Sequence, residues 1–328
     1  MRERRTVVAG HCTIDDIHQA DGAILPKTPG GAAAYATLGA AMYGGSVTLV
    51  SLLGDDYPFE RFRAGLARYG NVDLSGVRRA APRSIHNLAM YREDGARQCD
   101  IESWEIMEHL TPRATDLAPY VLENAIVLLA PASLLKQLES VRMVRARECE
   151  VAIDTEIHYI PSLDQKACLR AVVAEATYFL PSIEHLQVLY ANPSRDITLY
   201  LDDLFTLGCP WIVVKEGRRG STLIDCREAR TWHVPAVRDL TVRDVTGAGD
   251  GFNGGFTAAL ANGKDTLDAA CWGTVTASFV VESIGAAMPL HFDRTLALAR
   301  YNRVRAGLTE IGDSKRAGNN PQATRREG

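Results

Sequence analysis

The chain has no stretch long and apolar enough to cross a membrane and no paired cysteine motif. Its 328 residues contain no run of about eighteen apolar residues, and the best candidate, 117–135, is interrupted by Glu123 and Asn124. The seven cysteines are scattered without a C-x-x-C pair, and their odd number leaves one outside any disulfide scheme. We therefore expect a protein that is not a membrane protein, has reduced cysteines and is cytoplasmic.

The sequence also lacks an excess of positive charge. Its formal net charge is −4 and its pI is about 6.1, so it offers no general basic surface for nucleic acid. The short cluster of Arg2, Arg4 and Arg5 precedes only a brief apolar segment, which indicates neither nucleic-acid binding nor export. Because 46% of the residues are hydrophobic, the chain can bury a large core, as one large α/β domain would require.

A P-loop is absent as well. The pattern G-x-x-x-x-G-K-[ST] does not occur, since Gly263-Lys264 lacks both the earlier glycine and the following hydroxyl residue. Residues 249–254 do fit the dinucleotide pattern G-x-G-x-x-G, but they lie late in the chain and inside a predicted helix. A nicotinamide-dependent oxidoreductase is therefore one alternative function.

The most informative segment is D-V-T-G-A-G-D at 244–250. Apolar residues at helical spacing follow it, and Asn262-Gly263 supplies a stop, so the pattern predicts a helix that begins near Ala248. The small-residue turn would then lie at a helix N-terminus. Backbone amides there, together with the helix dipole, can hold a terminal phosphate.

Four residues of this turn could carry chemistry. Gly247, Ala248 and Gly249 would let oxygen atoms approach the backbone closely. Asp250 falls in the first helical turn, where a carboxylate beside an anion site could accept a proton from an attacking hydroxyl. The alternative is that a glycine-rich turn simply starts a helix and that Asp250 is there for dipole reasons.

Strands and helices alternate along much of the chain. Such alternation indicates a doubly wound, mostly parallel sheet with helices on both faces, which is a three-layer α/β/α fold. Hairpins are predicted at 85–101 and 221–234, and the tail 313–328 is predicted to be disordered because it lacks apolar residues. The other predicted elements are strands 6–10, 47–53, 125–130, 150–154, 177–180 and 211–215, and helices 32–43, 59–69, 134–147, 163–175, 196–206, 248–261 and 266–282.

Ligands of such sheets bind beyond the carboxyl ends of the strands. Asp15, shortly after the first strand, and Gly30-Gly31 at a helix start could hold hydroxyl groups of a small polar ligand. Lys215, Gly217 and Gly220 lie in the turn that follows another strand. Because this turn has few bulky side chains, it would leave room for the flat ring of a nucleotide base.

Asp154, Glu156 and His158 alternate after another strand and could form a metal cluster. Polar residues routinely follow a buried strand, however, and we favour ordinary loop chemistry for these three.

These segments together resemble the PfkB, or ribokinase-like, family of carbohydrate and nucleoside kinases. The resemblance extends over about 5–310 and rests mainly on the motif at 244–250. It implies a kinase domain over 1–312, with a small β-lid formed by about 11–28 and 79–105. The supporting elements are G-x-x-x-I-D at 10–15, Gly30-Gly31 with its alanine-rich helix, Gly54-Asp55-Asp56, and K-E-G-R-R-G at 215–220.

The resemblance implies transfer of the γ-phosphate of ATP, with Mg²⁺, to a hydroxyl of a sugar, polyol or nucleoside. Asp250 would be the base, and Gly247 to Gly249 the anion hole. A sugar or sugar derivative is the expected substrate, and a nucleoside is the alternative. The substrate ligands would include Asp15, Gly30, Gly31 and Tyr35, and the nucleotide region would include Lys215, Gly217, Gly220, Asp244, Thr246, Gly273 and Thr276.

Three positions depart from the family pattern. Tyr35 stands where many members have asparagine, and 129–132 lacks the substrate-binding glutamate of ribokinases, so ribose is disfavoured. The family's N-x-x-E element reads Ser182-Ile183-Glu184-His185 here, so neither the asparagine nor the glutamate is retained. Glu184 could then bind Mg²⁺ through a water molecule. A homologue that keeps the fold for binding without turnover is therefore a further alternative. The open edges of a β-lid also allow a homodimer.

Overall fold

Successive residues of the central strands point to opposite faces, and both faces are apolar. In the first strand, Arg5–Ala9, Val7 packs into one core and Val8 into another. Strands buried on both sides are typical of parallel sheets covered by helices. The computed structural model, which describes residues 4–19, 21–91, 97–101, 104–156, 163–286 and 292–311, has such a sheet.

Two sheets are present in the described residues. The strands are β1 (Arg5–Ala9), β2 (Thr13–His18), β3 (Ile24–Gly30), β4 (Ser46–Gly54), β5 (Val72–Ala81), β6 (Ile85–Tyr91), β7 (Arg97–Ile101), β8 (Ile126–Leu129), β9 (Glu150–Ile153), β10 (Tyr178–Phe179), β11 (Trp211–Lys215), β12 (Ser221–Asp225), β13 (Arg230–Val234) and β14 (Thr309–Glu310). The main sheet has the order β14-β13-β12-β11-β10-β9-β8-β1-β4-β5, and the second sheet has the order β3-β2-β6-β7. The main sheet is parallel from β11 to β5 and antiparallel from β11 to β14.

The helices cover both faces of the main sheet. They are α1 (Ala32–Ala41), α2 (Phe59–Leu66), α3 (Trp104–His109), α4 (Ala114–Leu117), α5 (Leu134–Arg145), α6 (Leu163–Glu175), α7 (Ile183–Leu189), α8 (Leu201–Leu204), α9 (Ala248–Ala261), α10 (Thr266–Val280) and α11 (Arg294–Ala306). Residues of α1, α9 and α10 share a core with one face, and residues of α5, α6 and α7 share a core with the other. The predicted three-layer α/β/α architecture is confirmed. No described helix is long and apolar enough to cross a membrane.

Glycines bring α1, α9 and α10 into close contact. A methyl group added at Gly254 would lie 1.9 Å from the carbonyl oxygen of Ala36, and one at Gly255 would lie 2.1 Å from Oγ1 of Thr276. These glycines therefore allow close packing on both sides of α9. This packing, rather than a dinucleotide, accounts for Gly254, the last glycine of the G-x-G-x-x-G pattern.

Several predicted elements need correction. The single helix predicted at 196–206 is a 3₁₀ turn, Ile197–Leu199, followed by the short α8, because the Tyr200 hydroxyl bonds back to the carbonyls of Asn192 and Ser194. The strands β5 and β14 and the helices α3, α4, α7 and α11 were not predicted. The turn of the hairpin 85–101, His158 and the tail 313–328 lie outside the described residues.

Candidate functional site

A cavity of about 480 Å³ lies at the carboxyl ends of the parallel strands. Residues that follow β1, β8, β9, β10 and β11 line it, and β2 and β6 of the second sheet add further lining residues. This volume falls in the range of small-molecule sites, about 300–1,000 Å³. The position agrees with the rule for open α/β sheets.

The turn at 244–250 forms one wall of the cavity. Helix α9 begins at Ala248, as the sequence predicts, and Gly247 caps it with a φ of 72°. Thr246, Gly247, Gly249 and Asp250 line the cavity, and Ala248 lies between them as the first helical residue. The wall therefore combines small residues at a helix N-terminus with a carboxylate, which can bind an anion and accept a proton.

Asp244 shapes this turn from behind. Its side chain is buried, and Oδ1 accepts a hydrogen bond of 2.7 Å from the amide of Thr246. The phenol of Tyr91, from β6, donates to the same oxygen. Because Asp244 is not among the cavity-lining residues, its carboxylate supports the turn instead of facing the cavity.

The ring of Tyr35 lies directly against Gly247. A methyl group at Gly247 would be 2.1 Å from Cγ of Tyr35, so only glycine fits between the ring and the turn. Tyr35 is buried on α1 and also lines the cavity. The ring thus joins the two sequence-predicted regions, the glycine pair before α1 and the turn before α9.

Asp15 marks a second, polar part of the cavity. Its carboxylate accepts hydrogen bonds from Oγ1 of Thr13 at 2.6 Å and from Nδ2 of Asn87 at 3.1 Å. Gly30 leaves space for this carboxylate, since a methyl group there would lie 1.9 Å from Oδ2. Gly31, with a φ of 93°, lines the cavity beside it. Carboxylate and amide groups side by side can hold neutral hydroxyl groups.

Lys215 belongs to a buried polar group that sequence reasoning only partly found. Its ammonium donates to Oδ2 of Asp154 at 2.5 Å and to Oδ1 of Asn253 at 3.1 Å. Nδ2 of Asn253 donates to the same oxygen of Asp154 at 2.7 Å. The sequence indicated Asp154 only as a polar residue after a strand, with a metal cluster as the alternative, and it gave no sign of Asn253.

The segment 182–185 begins α7 with a capping box. Oγ of Ser182 accepts from the amide of His185, and Nδ1 of His185 accepts from the amide of Ser182 at 3.2 Å. Burial lowers the pKa of His185, against the attraction of Asp154, which lies 3.6 Å away. The imidazole is therefore neutral near pH 7, with its hydrogen on Nε2.

Glu184 is half exposed and forms a 2.7 Å ion pair with Arg195. Partial burial acts to raise the pKa of Glu184, but hydrogen bonds from its own amide and from Arg195 more than offset this and hold the pKa below its usual value. Glu184 and Glu156 line the cavity, yet the described residues contain no cluster of three His, Cys, Asp or Glu side chains able to hold a metal ion. The metal cluster that was the alternative to loop chemistry for Asp154, Glu156 and His158 is not formed by the described residues, which do not include His158.

His11 is a cavity residue that the sequence did not single out. Its Nε2 lies 2.9 Å from the carbonyl oxygen of Met107 and 2.7 Å from Oγ1 of Thr111. Burial lowers the pKa of His11 to about 4, although the bond to Met107 acts in the opposite direction. His11 is thus a neutral, fixed part of the wall.

Four residues assigned to the nucleotide region are not among the cavity-lining residues: Asp244, which supports the turn, and Gly220, Gly273 and Thr276. Gly273 faces the ring of Phe252, and Thr276 faces Gly255, so both lie where α10 packs on α9. Gly220 has a φ of 98° and lies against the backbone of β13. Packing and turn geometry explain these residues, whereas Lys215 and Gly217 do line the cavity.

A family model and two curated proteins with similar sequences point to the same class of kinases. The family model of pfkB family carbohydrate kinases matches residues 4–292. A cytidine kinase of Thermococcus kodakarensis is 26% identical over 259 residues, which is 79% of this chain and 89% of that protein. A ribokinase of Bacillus subtilis is 27% identical over 309 residues, which is 86% of this chain and 94% of that protein.

The fold has solved relatives. The crystal structure of a putative ribokinase II from E. coli, in complex with ATP and Mg²⁺, superposes with a TM-score of 0.72 at 18% identity and covers 92% of this chain and 99% of that one. The chain belongs to the pfkB family of carbohydrate kinases. The predicted family, ribokinase-like fold and kinase class are confirmed, and the nicotinamide oxidoreductase alternative is wrong.

Proposed function

We propose that the chain transfers the γ-phosphoryl group of ATP to a hydroxyl of a sugar or sugar derivative. The main support is that one cavity holds both the turn at 247–250 and the polar group around Asp15. The first combines an anion site with a carboxylate, and the second suits a neutral polyhydroxyl compound. One pocket thus has complementary groups for a donor phosphate and for an acceptor.

In the proposed reaction, the acceptor oxygen attacks the γ-phosphorus while the bond from that phosphorus to the β–γ bridging oxygen breaks. Asp250 takes the hydroxyl proton, and ADP leaves with the electron pair of the broken bond. The amides of Gly247, Ala248 and Gly249 stabilise the charge that develops on the transferring group. Thr246 adds a hydroxyl at the same wall.

The remaining cavity residues divide between the two reactants. Asp15, with Gly30 and Gly31 around it, would bind acceptor hydroxyls, and Tyr35 would limit the size of the acceptor. Lys215 and Gly217 lie at the end of β11, on the nucleotide side.

Mg²⁺ would enter with the nucleotide. It prefers one or two carboxylates, phosphate oxygens and several waters over an all-protein cage. The absence of a three-ligand cluster among the described residues fits this preference. Glu184 and Glu156 lie on the cavity wall and would hold the ion through water, and the bound ion would neutralise charge on the phosphates.

The second sheet would act as a lid and as a dimer surface. β2 and β6 contribute cavity residues, so movement of this sheet would open and close the site and exclude water. β3 and β7 are its edge strands, and Ile24 on β3 is 55% exposed. Light scattering would test the dimer: Ile24→Lys should give a monomer if paired edges hold two copies together, and a wild-type monomer would contradict the dimer.

Two alternatives remain. A nucleoside acceptor is favoured by the apolar side chains of Ile85 and Met107, which line the cavity beside Asn87 and could face a base. A homologue that binds without turnover is favoured by the neutral His185 and by Glu184, which is already paired with Arg195.

An acceptor panel tests these functions. ADP release from Mg-ATP would be measured with pentoses, hexoses, inositols, sugar acids and nucleosides. Turnover with sugars supports the main proposal, and turnover with nucleosides alone supports the first alternative. If ATP binds but no compound is phosphorylated, the binding homologue is favoured.

A further inference from the structure

The buried ammonium of Lys215 lies next to the proposed anion site. Lys215 ends β11, is only 9% exposed and lines the cavity. A methyl group built on Gly249 would lie 3.5 Å from Nζ. The positive charge is therefore adjacent to the first turn of α9, where backbone amides have no partner within the helix and the helix dipole is positive.

Two buried residues bond to this ammonium and hold it in place. Asp154, after β9, is 3% exposed, and Asn253, on α9, is 1% exposed. The amide of Asn253 bridges the pair, because it accepts from Lys215 and donates to Asp154. Asn253 is also three residues after Asp250, so the same helix carries the proposed base and a support for the ammonium.

One N–H group of the Lys215 ammonium has no acceptor among the described residues. A lysine ammonium has three N–H groups, and among the described residues two acceptors, on Asp154 and Asn253, lie within bonding distance. A buried ion pair gains little stability over an apolar pair of similar shape, so stability alone does not account for this arrangement. A fixed charge with a spare donor at a cavity wall does serve to bind an anion.

The geometry points to Lys215 as a further ligand of the transferred phosphoryl group, with Asp154 and Asn253 as its positioning residues. This inference rests on the proposed function. Gly249 makes this contact possible. Because it has no side chain, the space between Nζ of Lys215 and the backbone amides of the turn stays open to a phosphate oxygen. The ammonium then adds a full positive charge to the partial charges of the helix N-terminus, and its position is set before ATP arrives.

Binding of ATP and ADP tests the claim without any acceptor. The affinities of wild type and Lys215→Met for Mg-ATP and Mg-ADP would be measured by calorimetry. Since the third N–H is assigned to the transferred group, Lys215→Met should weaken ATP about tenfold more than ADP, which corresponds to one charge-assisted hydrogen bond. An unchanged ratio of the two dissociation constants in the folded variant would overturn the assignment.

A matched control separates this role from loss of stability. Arg300 is also a buried cation, 7% exposed, and it bonds to Ser278 and Glu282, neither of which lines the cavity. Arg300→Met should destabilise the fold while keeping the wild-type ratio of ATP to ADP affinity. If Lys215→Met does not fold, Lys215→Arg gives the same test, because the larger guanidinium cannot occupy the position of Nζ.

The positioning role of Asp154 is tested by kcat measured beside thermal stability. Asp154→Asn removes the counter-charge but keeps a similar shape, so the ammonium should be less well placed and kcat should fall about tenfold or more with little change in KM for the acceptor. A drop in thermal stability with an unchanged kcat would show that Asp154 is only structural and would overturn its role. Absence of turnover in the wild-type protein would instead count against the proposed function, and the ATP-to-ADP ratio would still test Lys215.

Discussion

The phenol of Tyr91, at the end of β6, donates a hydrogen bond to the carboxylate of Asp244 at the start of the turn before α9. A further hydrogen bond of 2.5 Å joins the hydroxyls of Tyr91 and Thr246. These two hydrogen bonds connect the second sheet, through β6, to the turn that we propose as the anion site. Any movement of the sheet away from the cavity must break these bonds.

We expect Tyr91→Phe to loosen this connection. The lost hydrogen bond to a carboxylate is worth about 1.5–3 kcal/mol. Water should then reach the γ-phosphate more often, so ATP hydrolysis without acceptor should rise about tenfold relative to transfer. Phosphate release with and without acceptor measures this ratio.

Tyr120→Phe is the matched control, because the hydroxyl of Tyr120 bonds to the carbonyl of Ser75 at 2.8 Å on an exposed surface. It should leave the ratio of hydrolysis to transfer unchanged. The same ratio in Tyr91→Phe as in wild type would show that the second sheet does not exclude water through this bond.

Gly247→Ala should damage both stability and nucleotide binding. The backbone at Gly247 has a φ of 72°, and an added methyl group would meet the ring of Tyr35. We expect a loss of about 2–4 kcal/mol in the free energy of unfolding, from left-handed strain and overpacking together. Urea unfolding and ATP titration measure the two effects.

Gly70→Ala separates the two causes. Gly70 has a similar φ of 66°, but an added methyl group would meet nothing within 4 Å. This variant should lose only about 1 kcal/mol and bind ATP normally. Equal losses of stability in Gly70→Ala and Gly247→Ala would show that contact with Tyr35 is unimportant.

His11 should make the fold sensitive to acid. Its pKa is about 4 in the folded protein, against 6.5 for an ordinary histidine. Between these values the unfolded chain binds a proton that the folded chain does not, so stability falls as the pH drops from 6.5 toward 4. The contribution is fully present above pH 6.5, and its loss amounts to about 3 kcal/mol.

Urea unfolding of wild type and His11→Gln across this pH range checks the prediction. The variant should lose less stability with falling pH than wild type does. His109→Gln, at an exposed position, is the control and should keep the wild-type pH dependence. Identical pH dependence in His11→Gln and wild type would contradict the role of His11.

The sequence was most informative where one local segment determines the structure. The start of α9 at Ala248 follows from the turn and from the helical spacing after it, both visible in a few consecutive residues. Helix α7 was missed because its capping box uses His185 where glutamate or glutamine is usual. Helix α11 has Asp293 as its N-cap, but its many arginines gave a weak apolar pattern.

The polar group of the site could be predicted only in part. Lys215 and Asp154 are 61 residues apart, and Lys215 and Asn253 are 38 apart, so no local pattern connects them. For Gly273 and Thr276, by contrast, the sequence predicted a nucleotide contact where the structure has a contact between two helices. Small residues on a helix suit either a ligand or a neighbouring helix, and only the packing of α10 on α9 distinguishes the two.

The most direct test of the central claim is phosphoryl transfer by Asp250→Asn. Product formation from Mg-ATP and the best acceptor of the panel would be measured beside ATP affinity, for this variant and for wild type. We expect kcat to fall by about 10²–10⁴, as for loss of a general base, while the dissociation constant for ATP changes less than about threefold. Retention of wild-type kcat in Asp250→Asn would contradict the assignment of Asp250 as the base.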